Sequence, residues 1–123
     1  MADFPRSPCP IAVTLDTLGD KWSLVLIRDM LVGKKRFGAF LASPEGITTN
    51  ILADRLRRLE REGIVERRPY QTRPVRNAYV LTAKGRALLP VLQEMARWGC
   101  TEIGGTWKPP PSFMRARPVD PVS

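Results

Sequence analysis

The chain has 123 residues, 43% of them hydrophobic, with 20 Lys and Arg against 12 Asp and Glu for a formal net charge of +8. That length suits one domain with its own core, and the ordinary apolar content excludes wholesale disorder. The absence of His removes the usual general base and the commonest metal ligand, two Cys cannot build a four-thiolate site, and no apolar run approaches the roughly 20 residues that span a bilayer. The N-terminal residues lack a hydrophobic signal region. The expectation is a soluble, cytoplasmic protein with reduced thiols, no cofactor, no metal and no enzymatic site. Its strong basicity calls for a polyanionic partner.

Residues 1–10 carry three prolines and read as irregular, with Pro10 placed in the first turn of a helix. Ile11, Leu15 and Leu18 recur at helical spacing until Gly19. Asp20 caps a second helix, apolar nearly all round from Trp22 to Leu31 and therefore central, which Gly33 ends. Lys34-Lys35-Arg36 reads as a short strand or a turn. Phe37, Phe40 and Leu41 give one buried face of a short helix over 37–43, which Pro44 and Gly46 break. Ile47 is a staple residue and Thr48 the N-cap of a helix over about 49–62, where Leu52, Leu56 and Leu59 share one face. Asn50, Asp54, Arg57 and Arg61 project to the opposite face, and Gly63 stops the helix.

Ile64 to Arg68 begins a strand that Tyr70 ends. Residues 71–75 turn, and Asn77 to Leu81 returns. Thr82 caps one long final helix over about 83–103, with a broad apolar stripe through Leu88, Leu89, Leu92, Met95, Ala96 and Trp98. The composition then changes at Gly104-Gly105 and Pro109-Pro110-Pro111. Residues 1–105 read as the folded domain, and 106–123 as a Pro-rich tail, extended or mobile, whose Trp107 and Phe113 can dock on the domain or on a partner subunit.

Function concentrates between Arg55 and Arg76, where eight arginines stand against three glutamates, a local balance of +5. A short helix, a turn and a longer helix have helix-turn-helix proportions, and the hairpin after them adds a wing. Such a fold is mainly α with a small β-hairpin. A helix N-terminus offers N–H groups to phosphate, and Thr48, Thr49 and Asn50 supply short polar side chains there. Arg57, Arg58 and Arg61 follow on the same helix to reach guanine edges or phosphates, while Arg73 and Arg76 serve from the wing. These eight residues are the candidate contacts to double-stranded DNA. The competing reading is a solvated, salt-bridged face, since Asp54 stands at bridging spacing from Arg57 and Arg58, and Glu62 from Arg58. Asp54 itself either accepts from cytosine or orients Arg57.

Four segments in order, CPIAVTLDTLGDKW, RFGAF, GITTNILADRLRRLEREGIVERR and AYVLTAKGRALLPVLQEMARWG, resemble the HxlR-type helix-turn-helix family from Cys9 to Gly104. The resemblance implies a winged helix-turn-helix with N- and C-terminal dimerisation helices. It implies a transcription regulator, repressor or activator, that reads a palindromic operator as a homodimer. It places the recognition helix at 48–62, DNA contacts at Thr48, Thr49, Asn50 and Arg57, and the wing at 71–76. Two positions depart from the family pattern: Asn77-Ala78-Tyr79, where an acidic residue more often precedes the aromatic, and Asp54, where many members have a neutral polar residue.

Some members have a Cys-Pro pair just before the first helix that senses oxidants or electrophiles, and Cys9-Pro10 matches it. Helix N-termini favour the reactive thiolate. The other reading of Cys9 is a small hydrophobe packed at a dimer seam. Cys100 falls near the end of the final helix, within reach of a Cys9–Cys100 bridge on sequence grounds alone. Trp22, Met30, Met95 and Trp98 suit the core or the dimer interface better than a cofactor pocket. An apolar cleft between the dimer helices can admit a small-molecule effector. The alternative to a DNA-binding regulator is a winged-helix protein-interaction module. A thiol enzyme is disfavoured because no His can activate Cys9.

Overall fold

A computed structural model describes residues 3–118, with α1 at Pro10–Leu18, α2 at Ser23–Leu31, α3 at Phe37–Leu41 and α4 at Thr49–Arg61. An antiparallel hairpin follows, β1 at Val65–Thr72 and β2 at Val75–Leu81. Then come α5 at Ala83–Arg86, α6 at Leu89–Trp98, a π-helical turn at Gly99–Ile103 and α7 at Pro111–Arg115. The fold is mainly helical with a small hairpin, as the periodicity implied.

Helix α2 is the central element, with Leu26, Ile27 and Met30 buried against Phe40, Leu52, Leu56, Leu59, Val65 and Leu92. Asp20 caps its start as expected, accepting from the N–H groups of Trp22 at 3.1 Å and Ser23 at 3.0 Å and from Ser23 Oγ at 2.6 Å. Trp22 packs against the core, half-buried. The Lys34–Arg36 segment approaches β2: Arg36 bridges Ala78, and the Tyr79 N–H donates to the Lys35 carbonyl at 2.7 Å. Gly63 ends the α4 turn at φ 73°, a left-handed conformation that favours glycine.

Three elements differ from the sequence reading. The hairpin is longer than expected, because both strands continue to Thr72 and Val75 and leave Arg73-Pro74 as a two-residue tip. A bulge between Pro69 and Gln71 absorbs a proline that has no N–H to donate, and the ladder then resumes. The Gln71 amide closes the tip by donating to the carbonyls of Arg73 and Pro74 at 3.3 and 3.2 Å. Next, the single helix expected over 83–103 is three pieces. Pro90 lacks the N–H that would continue the α5 ladder, and its ring opposes the Arg86 carbonyl, so α6 starts afresh with Pro90 in its first turn.

The third difference lies in the 106–123 segment, expected to be extended or mobile. Residues 106–110 are irregular, but 111–115 form α7, and Phe113 packs half-buried against the core. The buried Gln93 amide explains the docking. Its Nε2 lies within hydrogen-bond distance of the carbonyls of Phe113 at 2.9 Å, Met114 at 3.2 Å and Ala116 at 2.8 Å, so its two hydrogens are shared among three acceptors at the end of α7. Residues 1–2 and 119–123 lie outside the described residues.

Thr82 caps α5 as expected, its Oγ1 accepting from the Gly85 N–H at 3.2 Å and donating to the Gly63 carbonyl at 2.6 Å. This closes the base of the wing onto the end of α4. Gly85 is required there by close approach: a Cβ would stand 2.4 Å from the Ile64 carbonyl oxygen and 2.9 Å from Leu81 Cδ2. Gly85→Ala is expected to destabilise the protein by at least about 2 kcal/mol despite alanine's better helix propensity. Urea unfolding compared with the wild type measures it.

Candidate nucleic-acid interface

The candidate surface is built on α4. Thr48 has the extended backbone of an N-cap residue (φ −84°, ψ 158°), and its carbonyl accepts from the Leu52 N–H at 2.9 Å. Its side chain makes no capping hydrogen bond. The first-turn N–H groups are therefore not taken by a side chain, the arrangement that favours an anion at a helix start. Ile47 and Leu52, on either side of this turn, are both buried in the one core cluster, the placement expected of a staple. Thr48, Thr49 and Asn50 are all exposed.

Below α4, Leu52, Leu56 and Leu59 are 0–2% exposed, so one face is fully committed to the core. One flank is tied to the loop ahead of α2. Arg55 Nε donates to Asp20 Oδ2 at 2.8 Å, and its Nη1 pairs with Asp54. Burial alone pushes the Asp20 carboxyl up. Hydrogen bonds from the Ser23 hydroxyl, from Arg55 and from the Trp22 and Ser23 amides outweigh it and bring the pKa down to about 2. The other flank is tied to the wing, where Arg67 Nε donates to Glu60 at 2.8 Å. That pairing holds the Arg67 guanidinium still more firmly protonated.

These ties sort the eight arginines. Arg55, Arg67 and Arg68 are paired with Asp20 and Asp54, Glu60 and Glu66 respectively. Among the described residues, Arg57, Arg58, Arg61, Arg73 and Arg76 enter no ion pair. Arg57 and Arg61 are exposed, as are Arg73 and Arg76 on the wing. Arg57 also borders a cleft of about 240 Å³ between α4 and the wing, shared with Glu60, Arg67 and Tyr79. Arg58 is half-buried and lies toward α1, where it borders a small cleft with Asp16, Thr17, Glu62 and Arg61, so Arg61 spans the edge between this cleft and the exposed arc of Asn50 and Arg57. Asp54 pairs with Arg55 rather than with Arg57. Arg36, which the sequence reading treated only as part of a strand or turn, stacks over Tyr70 at 4.1 Å and adds a cation at the wing.

The turn that aims α4 has its own network. Asp29, 2% exposed, accepts from Arg28 at 2.8 Å and from the Ser43 hydroxyl at 2.6 Å, and Lys34 donates to Ser43 at 2.6 Å. Arg28 also holds Glu45 with a two-pronged contact at 2.7 and 2.9 Å, which keeps the Glu45 carboxyl below its usual range. The 43–46 segment between α3 and α4 is thereby fastened to α2.

Cys9 is exposed at the N-cap position of α1, its N–H donating to Ser7 Oγ at 3.2 Å and its carbonyl accepting from Val13 at 2.9 Å. Both thiols are free, and Cys100 lies half-buried in the π turn. Among the described residues, no three His, Cys, Asp or Glu side chains are grouped to hold a metal, and no helix is long and apolar enough to cross a membrane.

Residues 17–106 match the HxlR-like helix-turn-helix family. The chain belongs to this family. An HTH-type transcriptional regulator of Bacillus subtilis, YybR, is 43% identical over 94 residues, 76% of this chain and 75% of its own. Among solved structures, the redox regulator HypR in its oxidized form shares 43% identity over 74% of this chain and 94% of that one, with a TM-score of 0.68. The reduced form of the transcriptional regulator YodB from B. subtilis shares 34% identity over 82% of this chain and 100% of that one, at a TM-score of 0.67. This HxlR-type protein is accordingly a winged-helix transcriptional regulator, and its relatives are regulators rather than enzymes.

Because Asp20 titrates lower in the folded chain than its ordinary 3.8, its contribution is complete above about pH 4 and fades as the pH falls toward 2. For a partly solvated carboxyl this amounts to roughly 1–2 kcal/mol. Asp20→Asn should lower neutral-pH stability by that amount and flatten the acid limb between pH 4 and 2. Urea unfolding at a series of pH values reads both.

Proposed function

We propose that this HxlR-type regulator binds double-stranded DNA as a homodimer on a palindromic operator, with α4 in the major groove and the wing on the flanking backbone. The observation that carries the reading is the sorting of the arginines. Arg55 on one flank of α4 and Arg67 on the adjoining strand are tied to carboxylates, while Arg57 and Arg61 on the outer arc of α4 and Arg73 and Arg76 on the wing are exposed and lack ion pairs among the described residues. Thr48, Thr49 and Asn50 bring short polar groups and uncapped amides to the phosphate backbone. Arg57 reads base edges, Arg61 and Arg58 hold the backbone beside it, and Arg73 and Arg76 reach the backbone or the minor groove.

An apolar face supports the dimer. Ile11 and Leu15 on α1 and Val91, Met95 and Trp98 on α6 are large, exposed and at helical spacing, and Trp98 is 62% exposed. Two copies joined through such helices present two α4 helices to successive major grooves about 34 Å apart. The site of action is then the cytoplasm. Cys9 is the thiol through which oxidants or electrophiles reach the regulator. It is exposed at a helix N-cap, and the similarity to HypR, a redox regulator, supports the same role here. A protein-interaction module without DNA binding would leave the exposed arginine arc without a task.

Binding to a duplex from the region upstream of its own gene, followed by anisotropy at graded salt, tests the proposal. Arg57→Ala should weaken specific binding by about 1–3 kcal/mol and relax base preference. No binding to any promoter-proximal duplex at low salt would contradict it. Cys9→Ser should keep resting affinity and lose the response to mild oxidant; an unchanged response would remove Cys9 as the switch.

A further inference from the structure

The docked tail creates a cavity of about 470 Å³ between α2, α6, the π turn and residues 106–113, within the usual size range of small-molecule sites. Its apolar walls come from Val32 on the α2 side, Leu92 and Ala96 on α6, and Trp107 and Phe113 of the tail. Cys100 fastens the tail wall: its Sγ lies 3.3 Å from Thr106 Oγ1 and donates to the Trp107 carbonyl at 3.7 Å. The cavity uses residues 92, 96 and 99 of the α6 region, whereas the exposed apolar stripe uses 91, 95 and 98. The two are different faces of one helix.

The polar lining is biased. Arg28, Lys34 and Lys108 face the cavity with Asp29 as the lone carboxylate. Counting Glu45, which holds Arg28 from outside the lining, one positive charge remains. Lys108 is exposed and enters no ion pair among the described residues. The flat walls of Trp107, Phe113, Pro109 and Pro110 suit a rigid ring system, and the residual charge suits one anionic group. Arg28, Asp29 and Lys34 are the same residues that fasten Ser43 and Glu45, and Pro44 lines the cavity between them.

We propose that this cavity, with its apolar ring walls and its Arg28–Lys34–Lys108 edge, is a binding site for a small aromatic monoanion, carboxylate or sulfonate. Its occupancy draws Arg28 and Lys34 away from Glu45 and Ser43, loosens the turn ahead of α4 and weakens DNA binding. This last step rests on the proposed DNA-binding function; occupancy of the cavity does not.

The probe is 1-anilinonaphthalene-8-sulfonate, titrated into the full chain and followed by its fluorescence. Its uncharged counterpart is N-phenyl-1-naphthylamine. Saturable binding is expected, with half-saturation raised at least about tenfold by Ala96→Phe or Val32→Phe, each filling the cavity. Val32 is half exposed, so its replacement keeps the test open where Ala96→Phe fails to fold. Lys108→Ala and the uncharged probe should each bind several-fold more weakly. Folded filling variants that bind the sulfonate like wild type would overturn the site, and equal binding of the uncharged probe would overturn the anion assignment. Saturating sulfonate should lower affinity for the upstream duplex several-fold in wild type and not in Val32→Phe. Unchanged affinity at saturation would overturn the coupling, whereas absence of any DNA binding would overturn the DNA-binding reading and leave the fluorescence result standing.

Discussion

The seating of α4 decides which side chains the protein presents. Leu52, Leu56 and Leu59 press into the core around Phe40 and Val65, and this burial sets the rotation of the helix about its axis. Two ion pairs brace that rotation from the flanks, Arg55 to Asp20 ahead of α2 and Glu60 to Arg67 on the wing. The Asp20 node also caps α2, so the central core helix and the candidate recognition helix are aligned through one carboxylate. With three sides occupied, the arc carrying Asn50, Arg57 and Arg61 faces out.

Charge is placed by the same logic. The positive balance of the 55–76 stretch is not spread evenly over a solvated surface. Arg55 holds α4 to Asp20 ahead of α2, Arg67 holds the wing to α4 through Glu60, Arg68 pairs with Glu66 within β1, and Arg57, Arg61, Arg73 and Arg76 enter no ion pair among the described residues. The turn ahead of α4 is held by another set of charges, Arg28, Asp29, Lys34 and Glu45, which also borders the tail-lined cavity. A fold that fixes its helix-turn-helix angle with a network of charges beside a cavity has a physical route from a bound ligand to that angle.

Much of this was legible in the sequence because it is local. The leucine spacing of α4, the capping roles of Asp20 and Thr82, the stop at Gly63 and the staple at Ile47 all rest on residues within a few positions of one another. The ordered motifs carried the family, and the family match over residues 17–106 bears that out. What was not legible depends on distant partners. Arg55 and Asp20 are 35 positions apart; the sequence offers Asp54 to Arg57 or Arg58, or to a cytosine, whereas the fold pairs it with the Arg55 that Asp20 holds. Gln93 and Phe113 are likewise joined only by folding: the sequence allows Phe113 to dock on the domain or on a partner subunit, and nothing in it singles out Gln93 as the side chain that receives the tail. The break at Pro90 was available in the sequence and was outweighed by the apolar stripe running past it.

The most direct test follows the arginine side chains themselves. With 15N-labelled protein, the Nε–Hε resonances of the eight arginines between Arg55 and Arg76 can be followed by NMR as duplex from the upstream region is added. Arg57, Arg61, Arg73 and Arg76 should shift and become protected from exchange, while Arg55 keeps the signature of its pair with Asp20. Shifts at Arg55 as large as those elsewhere, with Arg57 and Arg61 unmoved, would contradict the account of how α4 is seated.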